Sequence, residues 1–290
     1  MREPLEVGLK LTTTLRFLAT GKSCASLQYS FRVEATTIGK FLPEVCKAIL
    51  EVYKDEVLRC SKTEEEWKEV AEGFSFRWNY HNCLGAVDGK HATMKKLPKA
   101  ESFYYNYIKG FRSIVLMAHV DAGCMKFLYV DVGAEGGASD GGTWKNCTLH
   151  KAVEDNRAGL PVSAPLPNND KSVPYHFVAY DAFALRTWLM KPFSHRSQMH
   201  RNISYSYRLS RARRVVENAF GILSQMSVSV SCPVSSSSLL STAGPALPLV
   251  VFFFLAGILL TVRCRVKERG DWRWALFMSA VVADSCANNA

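Results

Sequence analysis

Four carboxylates stand out in this sequence by the company they keep. Asp88 closes an apolar run over residues 83–87 and precedes Gly89, which lets a ligand come close to the backbone. Asp181 ends a second run, YHFVAYD over 175–181, which reads as a buried strand. Glu217 falls on an arginine-rich helix beside an apolar stripe of Val216, Phe220 and Leu223. Asp140 lies in GGASDGG over 136–142, a glycine-rich loop. Strand ends are where open α/β folds keep their chemistry.

Carboxylates gathered in one place repel one another unless a cation neutralises them. Hard oxygen ligands select Mg²⁺ or Mn²⁺. Two such ions, about 3.5–4 Å apart, clamp the attacking and leaving oxygens of a phosphodiester. Each acid alone also fits a plain structural role. An aspartate at a strand end caps a turn, and Glu217 pairs with Arg213 or Arg214 at helical spacing. The combination is what favours a metal site.

The elements that must hold these acids fall into three zones, 1–80, 81–225 and 226–290. The first reads as helical. SLQYSFRV over 26–33 gives a short helix, and EATT over 34–37 gives a turn with Thr36 or Thr37 as N-cap. A longer helix bearing Lys40 then runs to about Tyr53. Short helix, tight turn and longer helix make a helix-turn-helix layout, and equally two helices of any small bundle. TEEEWKEVA over 63–71 opens a further helix with a capping box. The second zone alternates strand and helix. Runs over 112–121 and 126–133 predict adjacent strands of a meander, 139–154 reads as helical, 159–173 as a loop, and Arg208 to about Ser224 as a helix. The expected core is α/β with mixed strands.

The third zone departs from both. It is Ser-rich, then nearly all apolar over 247–262, with Arg263, Arg265, Lys267 and Arg269 behind. That run falls short of the roughly 20 residues a membrane span needs. A membrane anchor is a rival reading and not the expected one. The start carries acids and no apolar h-region, so no signal peptide is expected.

Over 290 residues the formal net charge is +10, with 48% hydrophobic and 21% charged residues. That composition excludes a wholly disordered or collagen-like chain and a disulfide mini-protein. The positive excess favours an anionic partner, nucleic acid or a membrane surface. Nine cysteines are scattered without a C-x-x-C pair, as in a reducing compartment. His81, Cys83 and His91 match no familiar zinc spacing. Basic residues flank the acids: Lys95, Lys96, Lys99 and Lys109 follow the first strand, and Arg208, Arg211, Arg213 and Arg214 lead into Glu217. They are candidate phosphate contacts, and such runs are also ordinary solvated faces. Tyr104, Tyr105 and Tyr107 are candidate stacking residues.

Several stretches together resemble the PIF/Harbinger transposases and their domesticated nuclease relatives. They are CLGAVDGKH over 83–91, YNYIKGFRSIVL over 105–116, FLYVDVG over 127–133, SDGG over 139–142, DAF over 181–183 and YRLSRARRVVENAFG over 207–221. The resemblance spans about residues 8 to 224. It implies an RNase H-like catalytic core of the DDE type, preceded by a helix-turn-helix region. It puts Asp88, Asp181 and Glu217 on the family's metal-binding triad and Asp140 on an additional acidic position. It also implies a separate Myb-like DNA-binding partner protein.

Two departures stand beside it. From Gln225 onward the chain looks unlike those relatives, and the expectation is that 226–290 stems from a mispredicted exon or read-through. Tyr180 stands where relatives tend to carry a glycine ahead of the acid. The expected protein is a metal-dependent endonuclease acting on DNA in the nucleus, with the cytoplasm as a second location. The alternative is a domesticated DNA-binding protein that keeps the acids without cleavage.

Overall fold

A computed structural model of the chain describes residues 4–93, 102–123, 125–194 and 199–226, the side chains of 54–57 and 225–226 excepted. Lys95, Lys96, Lys99 and the apolar run at 247–262 lie outside the described residues. The elements are α1 (Val7–Thr20), α2 (Cys24–Phe31), α3 (Ala35–Val57), α4 (Glu64–Trp78), β1 (Cys83–Thr93), β2 (Tyr105–Asn106), β3 (Phe111–Val120), β4 (Phe127–Glu135), α5 (Asp140–Asn146) and α6 (Thr148–Glu154). They continue with β5 (Ala164–Pro165), β6 (Ser172–Val173), β7 (His176–Val178), β8 (Leu189–Met190) and α7 (His200–Met226). The main sheet has the order β2–β3–β1–β7–β8, with β4 paired to β3. β1, β7 and β8 run parallel, and β2 is antiparallel to β3. The chain is thus a mixed α/β protein, and the two predicted neighbours at 112–121 and 126–133 are the paired strands β3 and β4.

The chain divides into two compact units. Of the described residues, one unit draws on 4–57, 92–93, 102–114 and 223–226, the other on 58–91, 115–123, 125–194 and 199–222. In the first, α1, α2 and α3 bury Cys24, Leu27, Val33, Ile38, Phe41 and Leu42 against Leu9 and Phe17. Apolar residues at helical spacing give each helix one face to bury. Neither Thr36 nor Thr37 is the N-cap. The Ile38 amide already donates to the Glu34 carbonyl at 3.0 Å, so both threonines lie in the first turn of α3. Gln28 Oε1 takes the Ala35 N–H at 3.1 Å, satisfying one of the free donors at the start of the helix.

In the second unit the core gathers on Trp67, Leu84, Met117, Trp144, Phe177 and Phe183. Trp67 hangs from α4, whose start is fixed by the capping box of Thr63 and Glu66, with Glu64, Glu65 and Glu66 complementing the helix dipole. Its indole Nε1 donates to the Ala158 carbonyl at 2.8 Å. The predicted loop at 159–173 carries the small hairpin β5–β6, and the Asn82 side chain donates to the carbonyls of Ala164 and Val173.

Two boundaries differ from expectation in ways that concern the acids. Asp88 does not end a strand, because β1 continues unbroken to Thr93. β7 is shorter than predicted and stops at Val178, three residues before Asp181. The last β1–β7 pair is Ala86 with Val178. Asp88 therefore stands just past the end of parallel pairing, and continuing that register would bring Tyr180 level with it, not Asp181. Strand periodicity is two, so a one-residue offset sends a side chain to the other face.

Candidate active site

α7 begins at His200, eight residues earlier than predicted, and continues beyond Ser224. Leu209, Ala212, Val215, Val216, Ala219, Phe220 and Leu223 are buried at helical spacing. Arg208, Arg211 and Arg214 are exposed on α7, as is Glu217. Arg213 falls between the two faces and turns inward.

Arg213 Nη1 lies 2.6 Å from Glu217 Oε1, one helical turn along, and 3.7 Å from Asp88 Oδ2. One guanidinium thus faces two of the predicted acids. Asp88 is the more enclosed, 14% exposed against 46% for Glu217. Its Oδ1 accepts the Gly89 amide at 2.8 Å. Burial raises its pKa to about 6, against the lowering effects of the Gly89 amide and Arg213. Asp140 and Glu217, two further negative charges, add to the rise. Asp88, Asp140 and Glu217 therefore belong to one electrostatic group.

Asp140 is held by different means. It is the first residue of α5, whose N-cap Ser139 accepts the Gly142 amide through its hydroxyl. One side of the loop meets β1 at Gly89, where a Cβ would overlap the Asp140 carboxylate. The other side meets the backbone after Asp181, where a Cβ on Gly141 would come within 2.7 Å of the Ala182 carbonyl oxygen. The two glycines let Asp140 sit between β1 and that segment. Gly89 serves this approach within the chain. Tyr180 Oη donates to Asp140 Oδ2, and the Arg213 guanidinium lies 6.0 Å from the Tyr180 ring centre. Asp140 Oδ1 is buried without a hydrogen-bond partner, 3.8 Å from His91 Nε2.

Asp181 is placed apart. Its side chain is 75% exposed, and its Oδ1 pairs with Lys191 Nζ at 3.1 Å. The structure thus brings Asp88, Asp140 and Glu217 together around Arg213 and Tyr180, with Asp181 outside the group. Among the described residues no three His, Cys, Asp or Glu side chains are arranged to hold a metal ion.

Sequence reasoning passed over Tyr180 and assigned His91 no role. The departure from glycine just before Asp181 was the signal for the first, and the spacing from Asp88 along one strand was the signal for the second. Of the predicted phosphate contacts, Lys109 is exposed on the turn after β2. Arg211 lies over the rings of Trp78 and Tyr207, at 6.0 and 5.8 Å.

A family model described as a DDE superfamily endonuclease matches residues 87–238, just over half of the chain. The chain belongs to the DDE superfamily endonucleases. No curated protein and no solved structure matches it. The matched stretch begins one residue before Asp88 and takes in Asp140, Asp181 and Glu217.

DDE endonucleases generally use divalent metals, and part of the acid group suits one. Asp88 and Asp140 are mostly buried oxygen donors, and Asp140 Oδ1 has no hydrogen-bond partner to give up. Glu217 and Asp181 offer the same hard donors but are paired with Arg213 and Lys191.

Proposed function

We propose that this chain is a metal-dependent DNA endonuclease of the PIF/Harbinger transposase type. In this reading the mixed sheet belongs to an RNase H-like core, and α2 with α3 forms a helix-turn-helix. The observation that carries it is the meeting of Asp88 and Glu217 at Arg213, with Asp140 acting on Asp88 beside them, all within the stretch matched to the DDE endonucleases.

Asp88, Asp181 and Glu217 would hold the metal, with Asp140 assisting. Bound Mg²⁺ or Mn²⁺ supplies a water activated at neutral pH and charge stabilisation at the leaving oxygen of the phosphodiester. Asp88 is the enclosed anchor, fixed by the Gly89 amide. Tyr180 fixes the rotamer of Asp140 through its hydrogen bond. Glu217 is the most accessible acid of the group around Arg213 and is suited to orienting an incoming water. Arg208, Arg211 and Arg214, at three-residue spacing along α7, are suited to following a phosphate backbone, and Lys95, Lys96 and Lys109 are candidates for the same task. A Myb-like partner protein and a nuclear location complete the proposal.

A second reading has an observation of its own. Asp181 is solvent-facing and paired with Lys191, as suits a domesticated DNA-binding protein without cleavage. Nicking of supercoiled plasmid separates the two. The nuclease nicks with Mn²⁺, stops with EDTA, and loses activity in both Asp88→Asn and Asp181→Asn. Salt-sensitive DNA binding without nicking, from a folded protein in Mn²⁺, overturns the nuclease reading and favours the second.

A further inference from the structure

Arg213 contacts two of the carboxylates proposed to hold the divalent cation. Its Nη1 faces Glu217 Oε1 at 2.6 Å and Asp88 Oδ2 at 3.7 Å. Asp140 and Glu217 both act on Asp88 here, and this guanidinium, with the Gly89 amide, offsets them. A planar fork of donors suits an arginine to face two carboxylates at once. The four-residue spacing keeps Glu217 within its reach.

The hold is incomplete. Arg213 Nε is buried with no hydrogen-bond partner. Its other close neighbour in the group is the ring of Tyr180, which offers a face and no acceptor in that direction. Of the two Arg213 ion pairs the 3.7 Å one to Asp88 is the weaker hold, and the side chain must swing aside to free both carboxylates. Once it swings, Asp88 and Glu217 are left facing each other's charge. That gives a divalent cation a larger attraction than it has while Arg213 is in place.

We propose that Arg213 is the resident counter-ion of this acid group, competing with the divalent cation for Asp88 and Glu217 and setting the affinity of the site. This rests on the metal-dependent reading above. It makes Arg213 a positioning residue toward the metal, distinct from the arginines exposed on the same helix.

The test is a calorimetric titration of Mn²⁺, without DNA, into wild type, Arg213→Gln and Arg213→Lys, each checked for folding by circular dichroism. Arg213→Gln should bind Mn²⁺ about tenfold tighter, because the competitor is gone. Arg213→Lys, a point charge without the fork, should fall between the two. In EDTA, Arg213→Gln should melt below wild type, and Mn²⁺ should close that gap. A purely structural arginine would lower stability without tightening the metal. Equal or weaker Mn²⁺ affinity in folded Arg213→Gln overturns the inference while leaving the metal site intact. If Arg213→Gln does not fold, equal or weaker affinity in Arg213→Lys overturns it. No Mn²⁺ binding in wild type or either variant overturns the metal-dependent reading, and this inference with it.

Discussion

The carboxylate of Asp140 occupies the space that a side chain on Gly89 would need. Backbone and acid approach so closely because residue 89 has no Cβ, and Gly141 allows the same closeness to Ala182 on the other side of the loop. Asp140 is thereby fixed to the strand that carries Asp88. The DG pair at 88–89 and the DGG triplet at 140–142 are two halves of one fitting.

Gly89→Ala should therefore cost about 1–3 kcal/mol, the usual range for forcing a methyl group into a filled site. Gly221→Ala provides the opposite sign. It lies inside α7, a Cβ there meets nothing within 4 Å, and replacing a helical glycine by alanine gains up to about 1 kcal/mol. Urea unfolding of the two variants reads both. A neutral Gly89→Ala would mean that the Asp140 loop lies elsewhere in solution.

The Tyr180 hydroxyl gives a second prediction. It donates to Asp140 Oδ2 from a partly buried position. Tyr180→Phe keeps the ring under Arg213 and removes the donor. The loss should be about 1–2 kcal/mol, as for a hydrogen bond whose charged partner stays behind. It should be larger in EDTA than in Mn²⁺, because a cation takes over the stabilisation of the freed carboxylate oxygen. Thermal melts in the two buffers decide it, and equal losses would separate Tyr180 from any metal function.

Asp181 and Lys191 give a third. Their ion pair is solvent-facing, and such pairs contribute little to stability. Asp181→Asn and Lys191→Gln should each shift stability by less than about 0.5 kcal/mol in EDTA. If Asp181 joins the metal site on loading, Asp181→Asn should also lose most of the upward melting shift that Mn²⁺ gives wild type. A full shift in Asp181→Asn would remove it from the metal ligands.

Much of the frame was legible in the residues. The capping box at Thr63, the paired strands around 120 and the apolar stripe of α7 follow from local chemistry and periodicity, and they appear as expected. The acids were found by type and context, yet their grouping was not. Whether Asp181 or Tyr180 comes level with Asp88 depends on the register of β1 against β7, a long-range pairing that no local pattern encodes. In the sequence Arg213 is one of four similar arginines and, with Arg214, a candidate partner of Glu217; the structure pairs Glu217 with Arg213. Its inward turn follows from lying between the buried and exposed faces of α7, which the spacing of Leu209, Ala212 and Val216 already implied.

The last prediction joins Asp88 to a histidine away from the acid group. His119 is fully buried against Trp67 and Phe177, with Nε2 2.9 Å from the Leu84 carbonyl oxygen and Gly85 leaving room for its ring. Burial lowers its pKa from 6.5 to about 4, so the unfolded chain binds a proton there that the folded protein refuses. Stability from this group is complete above pH 6.5 and is lost as pH falls toward 4, by about 3 kcal/mol in all. Asp88 acts in the opposite direction. Burial raises its pKa from 3.8 to about 6, so the folded protein keeps a proton that the unfolded chain gives up. Its contribution is present below pH 3.8 and is lost as pH rises through 6, again by about 3 kcal/mol. Between pH 4 and 6 the Asp88 slope opposes that of His119, while His176 and His150, whose pKa values burial also lowers, add to the His119 side. Asp88→Asn removes the opposing slope. Urea unfolding in EDTA from pH 4 to 7 should show its stability climbing with pH more steeply than that of wild type, and it should be the more stable protein at pH 7. Matching profiles for the two would mean that Asp88 is not the enclosed acid described here, and a separate histidine NMR titration would then show whether His119 still titrates near 4.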